Sequence, residues 1–273
     1  MKYAKLSDQL RLPYLEQGDP AGVPLLLLHG VTDSCRSFEI VLPHLDNSIH
    51  AFALTQRGHG DASRPESGYR FSNFAADVAA FMDSVEIEGA VIAGHSMGSS
   101  VAQRFAIDYP DRTLGLVLMG AFAGFRDNPG VKEFCESIAS TLMDPVDPAI
   151  VQDFQKSTLA RPVPETFYEM IVQESLKVPA RVWRDAFQGF LEYEFPSELN
   201  NIKSPTLIIW GDQDAFCPRS DQEKLLATIK GSQLVVYEGS GHALHWEQPE
   251  RFAADLLAFI KQLSRSQSVQ QGR

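Results

Sequence analysis

The feature that most constrains this chain is an apolar run that breaks off into a glycine-flanked serine. Val91 to Gly98 reads V-I-A-G-H-S-M-G, and a helix-like stretch, Ser99 to Tyr109, follows. A serine at such a sharp strand-to-helix turn is held in a strained backbone conformation. Cβ atoms two residues to either side of it would collide with the neighbouring strand and helix, which is why glycine stands at 94 and 98. The strain lifts the Ser96 hydroxyl clear of the sheet. It also turns the Met97 N–H and the positive end of the helix toward whatever that hydroxyl attacks. Glycine and serine are common, so G-x-S-x-G is a weak signal alone. The rest of the chain must supply a base, an orienting acid and a second oxyanion donor.

Other apolar runs follow the same plan. Pro24 to Leu28, Ile49 to Leu54, Thr113 to Met119, Pro205 to Trp210 and Leu234 to Tyr237 are short and bounded by glycine, proline or polar residues. The first lacks period-two alternation, as suits a central parallel strand covered on both faces. Leu6 to Glu16 predicts one or two strands interrupted at Pro13. Ser37 to Leu45 predicts a short helix, and Ser72 is placed to cap a helix running to Val85. Asp221 to Ile229 and Glu250 to Leu263 predict two more helices. Alternating strands and helices give a mostly parallel sheet with right-handed crossovers, whose sites form at the carboxyl ends of its strands.

Between Ala121 and Asn200 the texture changes. No buried strand is evident; about four helices with proline punctuation are expected, and aromatics are dense, among them Phe134, Phe154, Trp183, Phe187, Phe190, Tyr193 and Phe195. Ser264 to Arg273 is polar and predicts a frayed tail. The net charge of −11, from 24 basic and 35 acidic residues, argues against nucleic acid and anionic membrane surfaces as partners. The N-terminus lacks an apolar stretch long enough for a signal peptide. Cys35, Cys135 and Cys217 are sparse and lack metal spacing, which suggests reduced thiols and a cytoplasmic protein. No metal or phosphate-binding pattern is present, so no cofactor is expected.

Candidate reactive groups follow the predicted strands. Gly211-Asp212-Gln213-Asp214 comes after one, and Gly239-Ser240-Gly241-His242 after another, with His245 close by. A serine hydroxyl needs a base to become a nucleophile, and imidazole titrates near the working pH. A carboxylate must then hold the imidazole's tautomer. Asp212 and Asp214 are both near enough in sequence to be considered.

With His29-Gly30, Arg57-Gly58-His59-Gly60, Gly94 to Gly98, Gly211 to Asp214, and Gly241-His242 followed by Glu247, Pro249 and Phe252, the chain resembles the α/β-hydrolase superfamily over nearly all of residues 20 to 263. The resemblance implies a mostly parallel eight-stranded sheet flanked by helices, with a core in two parts, 1–120 and 201–264. Residues 121–200 would be an inserted helical cap, and 265–273 a polar tail. It selects Ser96, Asp214 and His242 as the triad, with the N–H groups of Val31 and Met97 as oxyanion donors. Trp183, Phe187, Phe122 and His95 are candidates for substrate contact. One departure is Thr55, where the family often has aspartate. Asp33, close to the oxyanion loop, reads as a turn former in preference to a substrate contact.

Relatives that open epoxides or displace halide use an aspartate at the elbow, so Ser96 points instead to acyl transfer. The expected activity is hydrolysis of a small or medium, largely apolar carboxylic ester, by a monomer or homodimer. Lactone, amide or carbon–carbon cleavage and peracid formation would use the same triad. A small-molecule receptor on the same fold, or a cofactor-free oxygenase using only the His–Asp pair, are readings of a different class.

Overall fold

The computed structural model describes residues 1–124, 132–133, 136–137, 141–192 and 197–271, with the backbone alone for 266–271. Phe134, Cys135, Tyr193 and Phe195 lie outside the described residues. The sheet has eight strands in the order β1-β2-β4-β3-β5-β6-β7-β8. They are β1 (Lys2–Lys5), β2 (Arg11–Gly18), β3 (Val23–Leu28), β4 (Ile49–Leu54), β5 (Ala90–His95), β6 (Thr113–Met119), β7 (Thr206–Gly211) and β8 (Gln233–Tyr237). β1 and β2 are antiparallel to their neighbours; β4 through β8 run parallel.

The leucine run of β3 shows why an unbroken apolar strand suits the middle of such a sheet. Successive side chains point to opposite faces. Leu26 and Leu28 enter the core on one face, with α1 (Phe71–Ser84) and α2 (Met97–Asp108). Leu25 and Leu27 enter the other, against the long C-terminal helix α8 (Pro249–Gln271), which contributes Phe252, Leu256 and Phe259.

Between β6 and β7 run α3 (Pro148–Ser157), α4 (Glu165–Leu176) and α5 (Ala180–Leu191), among other helical residues. On α5 the buried residues Trp183, Ala186, Phe187 and Phe190 recur at helical spacing and form one apolar stripe. α6 (Arg219–Thr228) follows β7, and the single turn α7 (Leu244–Glu247) precedes α8. Among the described residues no helix is long and apolar enough to cross a membrane.

Four local expectations are corrected. Pro13 lies inside β2 and does not interrupt it. It stands opposite Thr55, just past the end of β4, and its carbonyl accepts the Thr55 N–H at 2.8 Å, so the ladder asks no donor of its ring nitrogen. Ser37 to Leu45 holds two 3-10 turns, Cys35–Phe38 and Leu42–His44, not one helix. α1 starts at Phe71, with Arg70 at its cap position and Ser72 already in the first turn. The buried Phe71 ring, 5.3 Å from Phe190, anchors that start. The C-terminal helix continues through most of the expected tail to Gln271, since nothing from Ser264 to Gln271 breaks a helix.

Candidate active site

Ser96 stands directly after β5, with φ 52° and ψ −117°. This is a strained conformation for any residue with a Cβ. A Cβ on Gly94 would run into the Gly98 carbonyl, and one on Gly98 into the Leu28 carbonyl of β3. Both glycines are thus required by close backbone approach. α2 starts at Met97, two residues earlier than its composition suggests, so the Met97 N–H sits in the first turn with no intrahelical acceptor.

Asp214 follows β7 and His242 follows β8. His242 Nδ1 lies 2.8 Å from Asp214 Oδ2. A carboxylate only accepts, so Nδ1 carries the proton and Nε2 presents a lone pair. The other carboxylate oxygen, Asp214 Oδ1, accepts the N–H groups of Phe216 and Cys217 at 2.8 and 2.9 Å. The Asp214 side chain is fully buried. Asp212, exposed, instead caps the next turn by accepting the Gly239 N–H at 2.6 Å. His245 is wholly buried behind His95, with ring centroids 4.5 Å apart, and burial pushes its imidazole down to about 3.

Ser96 and His242 face one cavity. Gly30, Val31, Asp33 and His95 complete the wall around the serine, while Phe122, Phe154, Phe187, Phe190 and Phe216 make the remainder strongly apolar. Trp183 stands one layer back. It is fully buried and packs edge-on against Phe154 at 5.3 Å, so it supports the wall without forming it. Among the described residues no backbone carbonyl takes the N–H of Val31 or of Met97.

The Gly30 loop is fixed by histidine. His29 Nδ1 donates to the Gly30 carbonyl at 2.7 Å, and Nε2 accepts the Gln56 N–H at 3.0 Å. Burial holds that imidazole well below its usual range, so it stays neutral and can serve both bonds. Thr55 is buried and accepts the Cys35 N–H at 3.0 Å, tying the turn after the Gly30 loop to the end of β4. Arg57 of the neighbouring glycine-rich loop is paired with Asp77 of α1 through Nε and Nη2.

The comparisons with known proteins agree with this architecture. A family model described as alpha/beta hydrolase fold matches residues 23–249. The chain belongs to the α/β-hydrolase family. One relative, the non-heme chloroperoxidase of Streptomyces lividans, is 27% identical, covering 93% of this chain and 98% of that protein. The bromoperoxidase of Bacillus anthracis superposes with a TM-score of 0.84 at 25% identity, over 95% of this chain and 99% of that one. A thermophilic esterase from Thermogutta terrifontis gives 0.83 at 25% identity, over 96% and 98%.

This α/β-hydrolase adds further groups to the cavity wall. Asp33 is not just a turn residue. It is 2% exposed, lines the cavity, and accepts Gln155 Nε2 at 2.9 Å. Burial pushes its carboxyl up to about 7, opposed by Gln155 and the neighbouring His242. Gln155 and Thr158 of the α3 segment also line the cavity. Their signal was a polar residue four and seven places after the buried Val151, on an otherwise apolar helix face. Trp246 lines the cavity as well. Among the described residues, Asp214, Cys217 and His242 bring metal-ligating atoms within 4.8 Å of one another. Asp214 and His242 are bonded to each other, and Cys217 Sγ is given to the Gly120 carbonyl at 3.1 Å. Burial also pushes the Cys217 thiol well up, so it keeps its proton.

Proposed function

We propose that the protein is a serine hydrolase that cleaves carboxylic esters of small to medium, largely apolar substrates through an acyl-serine intermediate. Ser96 Oγ is the nucleophile and His242 Nε2 takes its proton. Asp214 orients the ring and stabilises the imidazolium that forms. The N–H groups of Val31 and Met97 receive the oxyanion. His242 then returns its proton to the departing alcohol and activates the water that releases the acid. The observation that carries this reading is a strained elbow serine sharing one phenylalanine-walled cavity with an imidazole whose far nitrogen is held by a buried carboxylate.

The test is hydrolysis of short-chain aryl esters by wild type and by Ser96→Ala, together with mass measurement of a trapped acyl-enzyme. Turnover is expected to fall by on the order of 10⁴-fold or more in the variant, with the acyl adduct on Ser96. Full activity in Ser96→Ala defeats the serine mechanism.

The relatives named as haloperoxidases support a second reading within the same chemistry. Hydrogen peroxide in place of water would attack the acyl-serine, releasing a peracid and restoring the serine. Peroxide-dependent bromination that requires both a carboxylic acid and Ser96 would establish it.

A further inference from the structure

Beside the reacting serine lies a small polar recess in a chamber walled largely by phenylalanine. Its floor is Gly30. A side chain there would begin 3.0 Å from His95 Nδ1 and 3.1 Å from Asp33 Oδ2. Both groups line the cavity with Ser96. His95 Nε2 lies 3.1 Å from the His242 carbonyl, which only accepts, so Nε2 carries the ring proton and Nδ1 is left as an acceptor. That Nδ1 is buried with no hydrogen-bond partner among the described residues. A buried polar atom left unpaired is costly, and this one faces the space where a ligand would sit.

Asp33 supplies the complement. Its Oδ1 is held by Gln155, while Oδ2 is turned toward Gly30, whose backbone N–H also bonds to the carboxyl. With its carboxyl pushed up to about 7 by burial, Asp33 carries a proton in much of the population near neutrality and can donate. An acceptor and a donor thus converge above one glycine. A hydroxyl, which both donates and accepts, satisfies the two together; an alkyl group satisfies neither.

Gly30 immediately precedes Val31, whose N–H is directed in the proposed function at the carbonyl oxygen of the ester. A substituent close to that carbonyl therefore reaches the recess. We infer that the recess formed by Gly30, Asp33 and His95 binds a hydroxyl carried by the acyl half of the substrate one or two carbons from the reacting carbonyl, so that hydroxyacyl esters are the preferred substrate class. This rests on the esterase reading, and the following experiment separates the two.

Ser96→Ala protein is titrated calorimetrically with phenyl 3-hydroxybutanoate and with phenyl butanoate, and wild type is assayed on the same pair. The hydroxy ester is expected to bind roughly ten-fold more tightly, the size of a net hydrogen bond or two. The preference is expected to vanish in Ser96→Ala/Asp33→Val and to survive in part in Ser96→Ala/Asp33→Asn, which keeps a donor. Equal affinities in Ser96→Ala, a recess holding water only, overturn the inference without recourse to any Asp33 variant. So does a preference that persists undiminished with valine at 33. Wild type that hydrolyses both esters equally, with equal binding, removes the subsite and leaves the esterase standing. Wild type that hydrolyses neither, with the binding preference intact, removes the esterase reading and leaves the hydroxyl subsite.

Discussion

Asp33 is the residue whose burial has the clearest thermodynamic consequence. Its carboxyl is pushed from 3.8 up to about 7 in the folded chain. The native state therefore holds a proton that the unfolded state releases between those values. The contribution is fully present below the unfolded value and is lost as pH rises through the folded one. At about 1.36 kcal/mol per unit, the loss reaches at most about 4 kcal/mol by pH 8. Asp33→Asn escapes it, so its melting temperature relative to wild type is expected to climb between about pH 5 and pH 8. A constant difference across that range would show that Asp33 ionises normally. Gly120 makes a second case. Its φ is +50°, and a Cβ there would lie 2.9 Å from His242 Nδ1. Gly120→Ala must therefore push the imidazole off Asp214 or strain the strand end. Ester turnover is expected to drop by about 100-fold, a loss out of proportion to the modest fall in stability seen by thermal melting.

At the scale of elements, the inserted helices are joined to the loop that carries His242. Glu247 of α7 accepts the N–H groups of Ala160 and Arg161 through one oxygen and of Gly241 through the other, at 2.6, 3.0 and 2.9 Å. Hydrogen bonds to a carboxylate are among the stronger ones. Glu247→Ala is expected to cost about 2 kcal/mol or more in denaturant unfolding and to lower kcat, while Glu247→Gln recovers part of both. The elements also show what could be read from the chain. Apolar runs such as Leu25 to Leu28 and the glycine pairs around Ser96 are local, and they marked six of the strands and the elbow correctly. Pro13 misled because tolerance of proline depends on where the neighbouring strand ends, a tertiary fact. Gln155 stayed hidden and Asp33 was read first as a turn residue, because each looks ordinary in its own segment; they meet only across 122 residues of chain. Trp183 was drawn toward the pocket by composition, yet one helical turn separates it from the exposed wall that Phe187 occupies.

For the molecule as a whole, four of the buried imidazoles set the acid limit. Burial holds His29 and His95 well below their usual range, His59 at about 4 and His245 at about 3. All four stay neutral in the native state but protonate near 6.5 once unfolded, so stability is lost as pH falls below that value. At up to about 1.36 kcal/mol per unit and per group, His59 and His245 alone amount to roughly 5 kcal/mol over two pH units, a large part of a domain's stability, and His29 and His95 act in the same direction. Asp33 works in the opposite direction but is a single group. Unfolding between about pH 5 and pH 4 is expected, followed by tryptophan fluorescence; native spectra retained at pH 4 would contradict it. On the far face of the sheet, Phe252 is fully buried between α8 and the strands. Phe252→Ala is expected to cost about 3 to 5 kcal/mol in denaturant unfolding, with KM for ester unchanged, because that face holds no part of the cavity.

A single turn at the end of α3 touches both sides of the cavity. Gln155 reaches Thr32 and Asp33 beside the Gly30 loop, and the Thr158 carbonyl receives the N–H of Ala243, next to His242. Substrate range in this protein therefore cannot be exchanged by transplanting a roomier set of lid helices as an independent module. A chimera would have to import Gln155 and the backbone at Thr158 in register with the host's own loops. Otherwise it would gain space for a bulkier ligand while loosening the scaffold that aims the chemistry at it.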